Sequence, residues 1–442
     1  MLRSHLRHIK KILLVGLRQL LLSRKETDAL LAKRSHPYAI AALNRKIRRR
    51  AFLLLLIGTL SFLLGIGYGF IHRYPEGLAY SEIEDIEAPE TTPPKPKTPV
   101  QKPPKVPPKI NIRIKAVGDI VPGTNYPANR LHPQRKVLFR AVKPLLKGAD
   151  FLFGNFESTL TNYPYSPKGF GGGLIIPFRT PPSYNQLLKD AGFDIMSVAN
   201  NHSFDFALPG FKDTIQNLEN AGIKALGKKG QILIANYKGL SIAWIGFSYF
   251  DYHNSVNNLT AATSLVRKAR ENADIVVISF HAGAEGTGAM RVKNQTEFFA
   301  GENRGNLVKF SHTMIDNGAD LILGHSPHVP RALELYKGKL IAYSLGNFLG
   351  YRTLSTAAQL AYSLVLEVEL DHQGNLVSGK ILPVILNGQG IPYPDRQGRS
   401  IKLIRQLTQS DFPKTPLIIK NDGQILVAKK NGREATTLPT VD

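Results

Sequence analysis

The chain has 442 residues, of which 43% are hydrophobic, so it is long enough for two or three units with a packed core. It contains no cysteine, which excludes disulfide frameworks, zinc–thiolate sites and cysteine nucleophiles. Its net charge is +24, and residues 1–50 hold 14 Lys and Arg against 2 Asp and Glu. Half of the excess charge therefore lies on a short N-terminal arm.

A membrane anchor is predicted directly after this basic arm. Residues 51–71 are uncharged and mostly apolar, and a helix of that length would span about 32 Å, close to a bilayer core. The basic residues on the N-terminal side predict a single-pass plasma-membrane protein, with residues 1–50 in the cytoplasm and the rest outside. The arm could contact anionic lipid headgroups or act only as a topology signal. A cleaved signal peptide is the alternative, but the basic leader is long for one.

Residues 72–109 are predicted to be an extracytoplasmic linker that is first acidic and then rich in Pro and Lys. Positions 89–109 contain nine prolines interleaved with lysines. Proline fixes φ and lacks a backbone donor, so neither a helix nor a sheet is expected here. An extended polyproline-like spacer of roughly 60 Å fits this composition.

Residues 110–390 alternate short apolar runs, typical of strands, with helical patterns. In chain order the strand-like runs are 110–117, 151–153, 195–198, 232–247, 275–280, 321–323 and 340–343, the last within a longer stretch 332–343, and 363–370 and 376–386 add more strand. The helical patterns lie near 134–147, 181–191, 209–221, 260–272 and 304–317. This alternation predicts an α/β fold, with a mixed sheet or two sheets sandwiched between helices. Two runs are predicted hairpins that turn at Lys238-Gly239 and Lys337-Gly338. The extension 391–442 is predicted to be partly ordered.

Polar side chains follow five of the predicted strands. They are Asp119; Asn155 and Glu157; Asn200, Asn201, His202 and Asp205; His281; and His325 and His328. Sites in layered α/β folds gather at the carboxyl ends of strands, so these residues are expected to share one rim. Oxygen and imidazole donors suit Mn, Fe, Zn or Mg, and a carboxylate can bridge two such ions. The sequence therefore predicts a site for one or two divalent metal ions.

Each motif alone has a simpler interpretation. A Gly-Asp pair after a strand is often a turn, and Asn200 or Asn201 could cap a helix. A single buried histidine is more often structural than a ligand. His325 and His328 could share a helix face, but Pro327 and Pro330 favour a loop. The joint placement of all five motifs after strands favours the metal site.

The same segments resemble the poly-γ-glutamate capsule-synthesis (CapA) family over about residues 112–349. The resemblance rests on Ala116-Val117-Gly118-Asp119-Ile120, Gly154-Asn155-Phe156-Glu157, Ala199-Asn200-Asn201-His202, His281-Ala282-Gly283, Gly324-His325-Ser326-Pro327-His328 and Ser344-Leu345-Gly346-Asn347-Phe348. That family is similar to calcineurin-type metallophosphoesterases. The resemblance implies a layered β-sheet sandwich flanked by helices, a divalent metal centre, and a role with an anionic capsule polymer.

The resemblance also implies a role for each matching residue. Asp119 and His328 would bind a first metal ion, and Glu157 would bridge to a second. Asn201, His281 and His325 would complete the second site. His202 would be the general acid that protonates the leaving oxygen.

Departures from the phosphoesterase pattern leave two functions open. Val121 stands where those enzymes usually offer a histidine, Glu157 replaces an aspartate, and the last motif is Gly-His-x-x-His. The first hypothesis is an enzyme that hydrolyses or transfers a phosphoryl or acyl group. The second is a non-catalytic subunit that binds or assembles the polymer around a structural or vestigial metal.

Three further residues are candidates for substrate binding: Asn155, Arg179 and Asn347. Arg179 could bind an anionic group or could be an ordinary surface arginine, and Asn347 could shape a turn. Residues 283–305, rich in Gly and charged residues, are interpreted as a flap over the site or a disordered insertion. The expected partners are the lipid bilayer, the anionic polymer and other capsule-synthesis membrane subunits. Nucleic acid is not expected, because no recognition motif is present.

Overall fold

A computed structural model describes residues 110–168 and 176–428. The predicted arm, membrane helix and linker (1–109) lie outside the described residues. Within the described ranges, no helix is both long enough and apolar enough to cross a bilayer.

The strands run in chain order as β1 (Ile112–Val121), β2 (Phe151–Phe156), β3 (Thr159–Leu160), β4 (Arg179–Thr180), β5 (Ile195–Ser197), β6 (Lys224–Leu226), β7 (Leu233–Tyr237), β8 (Leu240–Ser248), β9 (Asn254–Ser255), β10 (Ile275–His281), β11 (Glu297–Phe299), β12 (Glu302–Gly305), β13 (Leu321–His325), β14 (Leu333–Tyr336), β15 (Lys339–Ala342), β16 (Asn347–Gly350), β17 (Tyr362–Leu370), β18 (Leu376–Leu386), β19 (Pro392–Pro394), β20 (Leu417–Ile419) and β21 (Gln424–Val427). The α-helices are α1 (Val137–Arg140), α2 (Lys143–Leu146), α3 (Asn185–Ala191), α4 (Ala207–Asn220), α5 (Leu259–Asn272), α6 (Leu307–Asp316) and α7 (Arg399–Asp411).

Two mixed sheets form the centre of the fold. The first has the order β20-β21-β18-β17-β1-β2-β5-β6, and β16 and β19 pair at its side with β1 and β18. The second has the order β14-β15-β13-β10-β8-β7, with β9 on β8. Each sheet contains a run of four parallel strands: β1, β2, β5 and β6 form one end of the first sheet, and β15, β13, β10 and β8 form the middle of the second.

The largest apolar cluster lies between the two sheets. It joins side chains of β1 and β2 to side chains of β8, β10 and β13, and Phe153 stacks on Trp244 with 5.5 Å between ring centroids. A second cluster joins the outer face of the first sheet to helices α1–α4. A third joins the second sheet to α5 and α6. The described chain is therefore a helix–sheet–sheet–helix sandwich, which confirms the predicted layered α/β fold.

The predicted hairpins are confirmed, and their turns explain them. β7 pairs with β8 and β14 with β15, both antiparallel. Lys238 and Gly239 have φ of 47° and 86°, and Lys337 and Gly338 have 49° and 80°. Two successive residues with positive φ make the tight turn that matches the twist of paired strands.

Residues 391–428 continue in the same sandwich, and the rest of the predicted extension (429–442) lies outside the described residues. β19, β20 and β21 extend the first sheet, and α7 packs on β14, β17 and β18. Residues 283–305, interpreted as a flap or a disordered insertion, form a short antiparallel pair, β11 and β12. A disordered insertion is thus excluded for that segment.

Candidate metal centre

The carboxyl ends of the parallel strands of both sheets bring the predicted polar residues to one edge of the sandwich. Asp119 of β1 lies beside Asn155 of β2 in the parallel register. His281 ends β10 and His325 ends β13, and the two are paired neighbours. Glu157 follows β2 directly. The motifs converge because parallel strands end on the same side of a sheet.

Gly118 and Gly324 allow the backbone to pass close to the site. A Cβ on Gly118 would lie 1.8 Å from the carbonyl oxygen of Gly346, and one on Gly324 would lie 2.4 Å from that of Tyr343. No side chain fits in such a space. The absence of a Cβ at these two positions lets β1 and β13 place Asp119 and His325 against the segment 343–347.

Asp119 is fully buried and is surrounded by imidazoles. Its Oδ1 accepts a hydrogen bond from Asn155 at 2.8 Å and lies 3.5 Å from Nδ1 of His325. Its Oδ2 lies 3.2 Å from Nδ1 of His328. His281 is farther away, with its Nδ1 4.0 Å from Oδ1.

Glu157 is the second fully buried carboxylate of the site. Its Oε1 lies 3.6 Å from Nε2 of His281, 3.8 Å from Nε2 of His328 and 3.9 Å from Nε2 of His202. These distances are too long for hydrogen bonds. One carboxylate oxygen is thus encircled by three imidazole nitrogens without bonding to any of them.

Ligand-type atoms without a hydrogen-bond partner are concentrated here. Of the buried side-chain atoms without a partner among the described residues, seven belong to predicted ligands: Asp119 Oδ2, both Glu157 oxygens, Asn201 Oδ1, His281 Nε2 and both nitrogens of His325. A buried polar atom without a partner costs on the order of 1–3 kcal/mol, and a charged one costs more. Asp119, Glu157 and His328 each offer a ligand atom within 4.8 Å of the others. The donor set therefore fits a divalent cation. Five of the six predicted metal ligands (Asp119, Glu157, His281, His325 and His328) each have a ligand atom within 4.0 Å of a ligand atom of another.

The proton affinities of the site show how concentrated its charge is. Burial opposes ionisation of Asp119, but its contacts with His325 and His328 hold the pKa of this carboxyl well below its usual range. Burial and the nearby charge of Asp119 raise the pKa of Glu157 well above its ordinary value. Burial disfavours charged His328, yet Glu157 and Asp119 raise the pKa of its imidazole to about 10. A bound cation would balance the same negative charge.

His202 is held at the edge of the cluster by two neighbours. Its Nδ1 lies 2.7 Å from Oδ2 of Asp205, and its ring stacks on Phe178 with 4.4 Å between centroids. Its Nε2 faces Glu157. Burial lowers the pKa of His202, and Asp205 partly offsets this effect. The ring thus has a fixed orientation, with one nitrogen on a carboxylate and the other turned toward the centre.

The two asparagines before His202 have different roles. Asn200 donates to the oxygen of Asn155 at 3.1 Å and accepts from the backbone amide of His202 at 3.0 Å, so it shapes the turn. Asn201 leaves its Oδ1 buried and without a hydrogen-bond partner. The next helix begins at Ala207 with Phe206 as its N-cap and has no side-chain cap, so neither asparagine caps it, and the ligand prediction remains for Asn201.

The residues predicted to bind substrate all contact protein groups. Asn155 donates to Asp119 and accepts from Asn200. Oδ1 of Asn347 accepts a hydrogen bond from Nδ1 of His328 at 2.8 Å, and its amide nitrogen donates to the Ser355 carbonyl at 3.2 Å. Both positions therefore orient ligands. Substrate binding by either of them stays a prediction.

Arg179 lies outside the ring of candidate ligands. Its Nε donates to Asn125 at 2.7 Å, one Nη donates to the Tyr163 carbonyl at 3.2 Å, and its guanidinium lies over the ring of Phe206 at 5.4 Å. It anchors the short strand β4, which follows Phe178. Its predicted contact with an anionic substrate stays a prediction.

Sequence reasoning assigned no role to several residues that shape the site. Asp205 orients His202 and is paired with Lys168, whose Nζ also donates to the carbonyl of Asn201 at 2.9 Å. The sequence placed Asp205 among the polar residues of the rim without a role, and its spacing of three residues after His202 is the signal that could have assigned one. Nothing in the sequence indicates Phe178 or Lys168, because their contacts cross between separate loops.

A comparison with protein families decides the classification. The family model for the bacterial capsule synthesis protein PGA_cap matches residues 113–352, which is more than half of the chain. The chain belongs to this family. The PGA_cap segment contains every residue of the candidate centre, from Asp119 to Asn347, and this confirms the resemblance found in the sequence.

Two relatives are similar over more than half of the chain. PGA biosynthesis protein CapA of Bacillus subtilis (strain 168) is 30% identical over 271 residues, covering 56% of this chain and 66% of that protein. Capsule biosynthesis protein CapA of Bacillus anthracis is 27% identical over 337 residues, covering 70% of this chain and 75% of that protein. The chain thus spans about two thirds of the length of the B. subtilis protein.

Solved structures are much more distant. The 5'-nucleotidase precursor of Thermus thermophilus is 12% identical with a TM-score of 0.35, covering 68% of this chain and 59% of that one. A likeness at this level supports no argument about activity.

Proposed function

We propose that this protein acts in the synthesis or processing of an anionic capsule or cell-surface polymer of the poly-γ-glutamate type, by metal-dependent hydrolysis or transfer. Membership of the PGA_cap family supports a role with a capsule polymer of this class. The relatives named for PGA biosynthesis and capsule biosynthesis support it as well. The reaction, metal-dependent hydrolysis or transfer, is inferred only from the residues of the candidate metal centre.

The observation that carries the reaction is the set of buried ligand atoms without partners around Asp119 and Glu157. A divalent ion or ion pair bound there would polarise a phosphoryl or acyl oxygen of the substrate and stabilise developing negative charge. Asp119, Glu157 and His328 would hold the first ion, and Asn201, His281 and His325 would hold a second. In this proposal the six residues act as a metallophosphoesterase-like metal centre.

His202 would supply the proton for the leaving group. With a proton on Nδ1 donated to Asp205, the other nitrogen can carry a second proton toward the substrate. Phe178 and Asp205 prevent the ring from turning away. Its Nε2 lies 3.9 Å from Glu157 Oε1, so the proton would be delivered at the edge of the candidate centre.

The charge of the domain suits a polyanion. Residues 110–442 hold 37 Lys and Arg against 25 Asp and Glu. A net positive domain raises the encounter rate with an anionic polymer, in a manner that added salt weakens.

Val121 favours a second candidate, a non-catalytic polymer-binding or assembly subunit. It is apolar and fully buried at the position where related enzymes usually offer a histidine. The first metal would then have fewer ligands, and the ion could be structural.

Metal content and turnover of the purified full-length protein separate the two candidates. We would measure bound Mn, Fe and Zn, and hydrolysis of bis(p-nitrophenyl) phosphate, in wild type, His325→Ala and His202→Ala. His372→Ala is the control, because this histidine lies outside the centre. If the protein is an enzyme, we expect His325→Ala to lose metal, whereas His202→Ala should keep metal and lose turnover. Metal binding without turnover that depends on His202 would support the assembly subunit.

The proposal also places the domain outside the cell, anchored by residues 51–71, near other capsule-synthesis membrane subunits. The apolar run and its basic flank support this arrangement. Protease added to intact cells should remove a C-terminal tag together with the domain. A tag that stays protected until the cells are lysed would contradict this orientation.

A further inference from the structure

Glu285 approaches the candidate centre from the loop between β10 and β11. Its Oε1 accepts a hydrogen bond from Nη1 of Arg304 at 2.8 Å. Its Oε2 lies 3.8 Å from Nε2 of His328, and the side chain is 18% exposed. This carboxylate therefore reaches the centre from the solvent side, whereas Asp119 and Glu157 are fully buried.

The environment of His328 indicates which nitrogen is available to a metal ion. Its Nδ1 is hydrogen-bonded to Oδ1 of Asn347 at 2.8 Å, an atom that can only accept, so Nδ1 keeps its proton and Nε2 is the nitrogen that a metal ion would bind in place of a proton. That Nε2 lies 3.8 Å from Glu157 Oε1 and 3.8 Å from Glu285 Oε2. Two ligands at about 2.0–2.2 Å from one ion lie roughly 3–4 Å apart.

Glu157 distinguishes this group from an ordinary acidic cluster. The side chain is fully buried, and neither of its oxygens has a hydrogen-bond partner among the described residues. Nε2 of His328, Oε1 of Glu157 and Oε2 of Glu285 thus face one another.

The loop that carries Glu285 is fixed to the loop that carries His328. The amide of Gly286 donates to the Pro327 carbonyl at 3.0 Å. The amide of Ala284 donates to Oε2 of Glu297 at 2.8 Å, and Glu297 is paired with buried Arg331. These bonds hold the carboxylate of Glu285 in place by the backbone on both sides, so its position does not depend on Arg304 alone.

The need to neutralise the charge of Arg304 does not by itself explain why Glu285 lies beside His328. Arg304 is nearly fully buried, and its Nη2 also pairs with Glu302 at 2.9 Å. Glu302 belongs to β12 and pairs with the same guanidinium. Arg304 thus has a second acid as a partner, whereas Oε2 of Glu285 faces His328.

We propose that Glu285 is a further ligand of the metal ion that Glu157 and His328 hold. It would supply one of the donor atoms that Val121 cannot offer. This inference rests on the proposed metal centre.

The test is Mn²⁺ affinity, measured by electron paramagnetic resonance titration of chelator-treated full-length protein. The variants are Glu285→Gln and its matched control Glu302→Gln, since both remove a negative partner of Arg304. Loss of even an outer contact to a ligand weakens metal binding about 10–100-fold, so Glu285→Gln should weaken it at least tenfold. Glu302→Gln should leave the affinity near that of wild type. The melting temperature without metal should change equally in both variants.

Other outcomes separate this inference from the proposed function. Wild-type affinity in Glu285→Gln, or equal weakening in both variants, would refute a ligand role for Glu285. Glu157→Gln serves as the reference: if it binds Mn²⁺ like wild type, or if wild type binds none, the proposed centre itself fails. Should Glu285→Gln fold poorly, Glu285→Asp keeps the charge but withdraws the carboxylate by one methylene. It is expected to weaken Mn²⁺ binding, and unchanged binding would again refute the role.

Discussion

Replacing Gly118 by alanine should disrupt the framework that holds Asp119. The new Cβ would lie 1.8 Å from the Gly346 oxygen and 2.9 Å from that of Leu345, where ordinary contact begins near 3.4 Å. All of these atoms belong to the backbone, so no side-chain rotation can relieve the overlap. The segment 345–347 would have to move about 1.5 Å away from β1 to restore normal contact.

The movement of segment 345–347 determines how much folding stability Gly118→Ala loses. It breaks the hydrogen bond from the Asp119 amide to the Gly346 oxygen, now 2.9 Å, which leaves two buried groups unsatisfied at about 1–3 kcal/mol. Overpacking in a buried region adds about 1–3 kcal/mol. We expect a loss of about 3–5 kcal/mol, and thus a fall in Tm of about 10 °C for a domain of this size.

Thermal unfolding of the full-length protein, followed by circular dichroism, measures this loss. Gly388→Ala is the control, because that glycine has no atom within 4 Å of its ideal Cβ and does not have a left-handed φ. Mn²⁺ binding should weaken in folded Gly118→Ala, since Asp119 pairs directly with Asn347 in the β1–β16 register. A Tm within about 2 °C of wild type, with unchanged Mn²⁺ binding, would show that the close approach is not rigid.

Substitutions at three further residues should affect turnover, Mn²⁺ binding and the pH dependence of stability, respectively. Asp205→Asn should reduce turnover by about 100-fold or more while leaving metal content unchanged, because it removes the carboxylate that fixes the proton on Nδ1 of His202 and stabilises the charged imidazole; loss of metal instead would contradict a role limited to His202. Asn347→Ala should weaken Mn²⁺ binding about 10–100-fold, whereas Asn347→Asp, which keeps the acceptor for His328, should not. Burial lowers the pKa of His253 from 6.5 to about 3, so this neutral histidine favours the folded state above pH 6.5. That contribution is lost as the pH falls from 6.5 toward 3, by about 1.4 kcal/mol per pH unit; urea unfolding at pH 6.5 and 5 should show a smaller decrease in His253→Gln, and equal decreases would contradict the assignment.

The strands and the gathering of polar residues could be predicted from the sequence because both are local in origin. Apolar runs such as 275–280 and 321–323 identify buried strands without reference to the rest of the chain. A polar residue directly after such a run, such as His281 or His325, lies at a strand end wherever that strand sits. Parallel strands then bring these ends together, so the centre could be expected before any distance was known.

Contacts between distant segments could not be predicted in this way. β16 pairs in parallel with β1 and places Asn347 beside Asp119, although the two motifs are far apart in sequence. The choice of Nε2 over Nδ1 in His328 depends on that pairing. Helix α7 and strands β20 and β21 were expected only as a partly ordered extension, because their short, mixed segments carry a weak periodic signal.

Local strain and missing hydrogen bonds coincide at the candidate centre, and this coincidence connects the fold to the proposed function. Ser326 and His328 have φ of 97° and 60°, conformations that cost about 1–3 kcal/mol each in residues other than glycine. The same loop borders the unpartnered atoms of Asp119, Glu157 and His325. The stable sandwich around it can hold this arrangement, but nothing within the described residues compensates the buried ligand atoms. A cation would offset both costs at once, so the loop 325–328 should be the part of the domain whose stability depends most on bound metal.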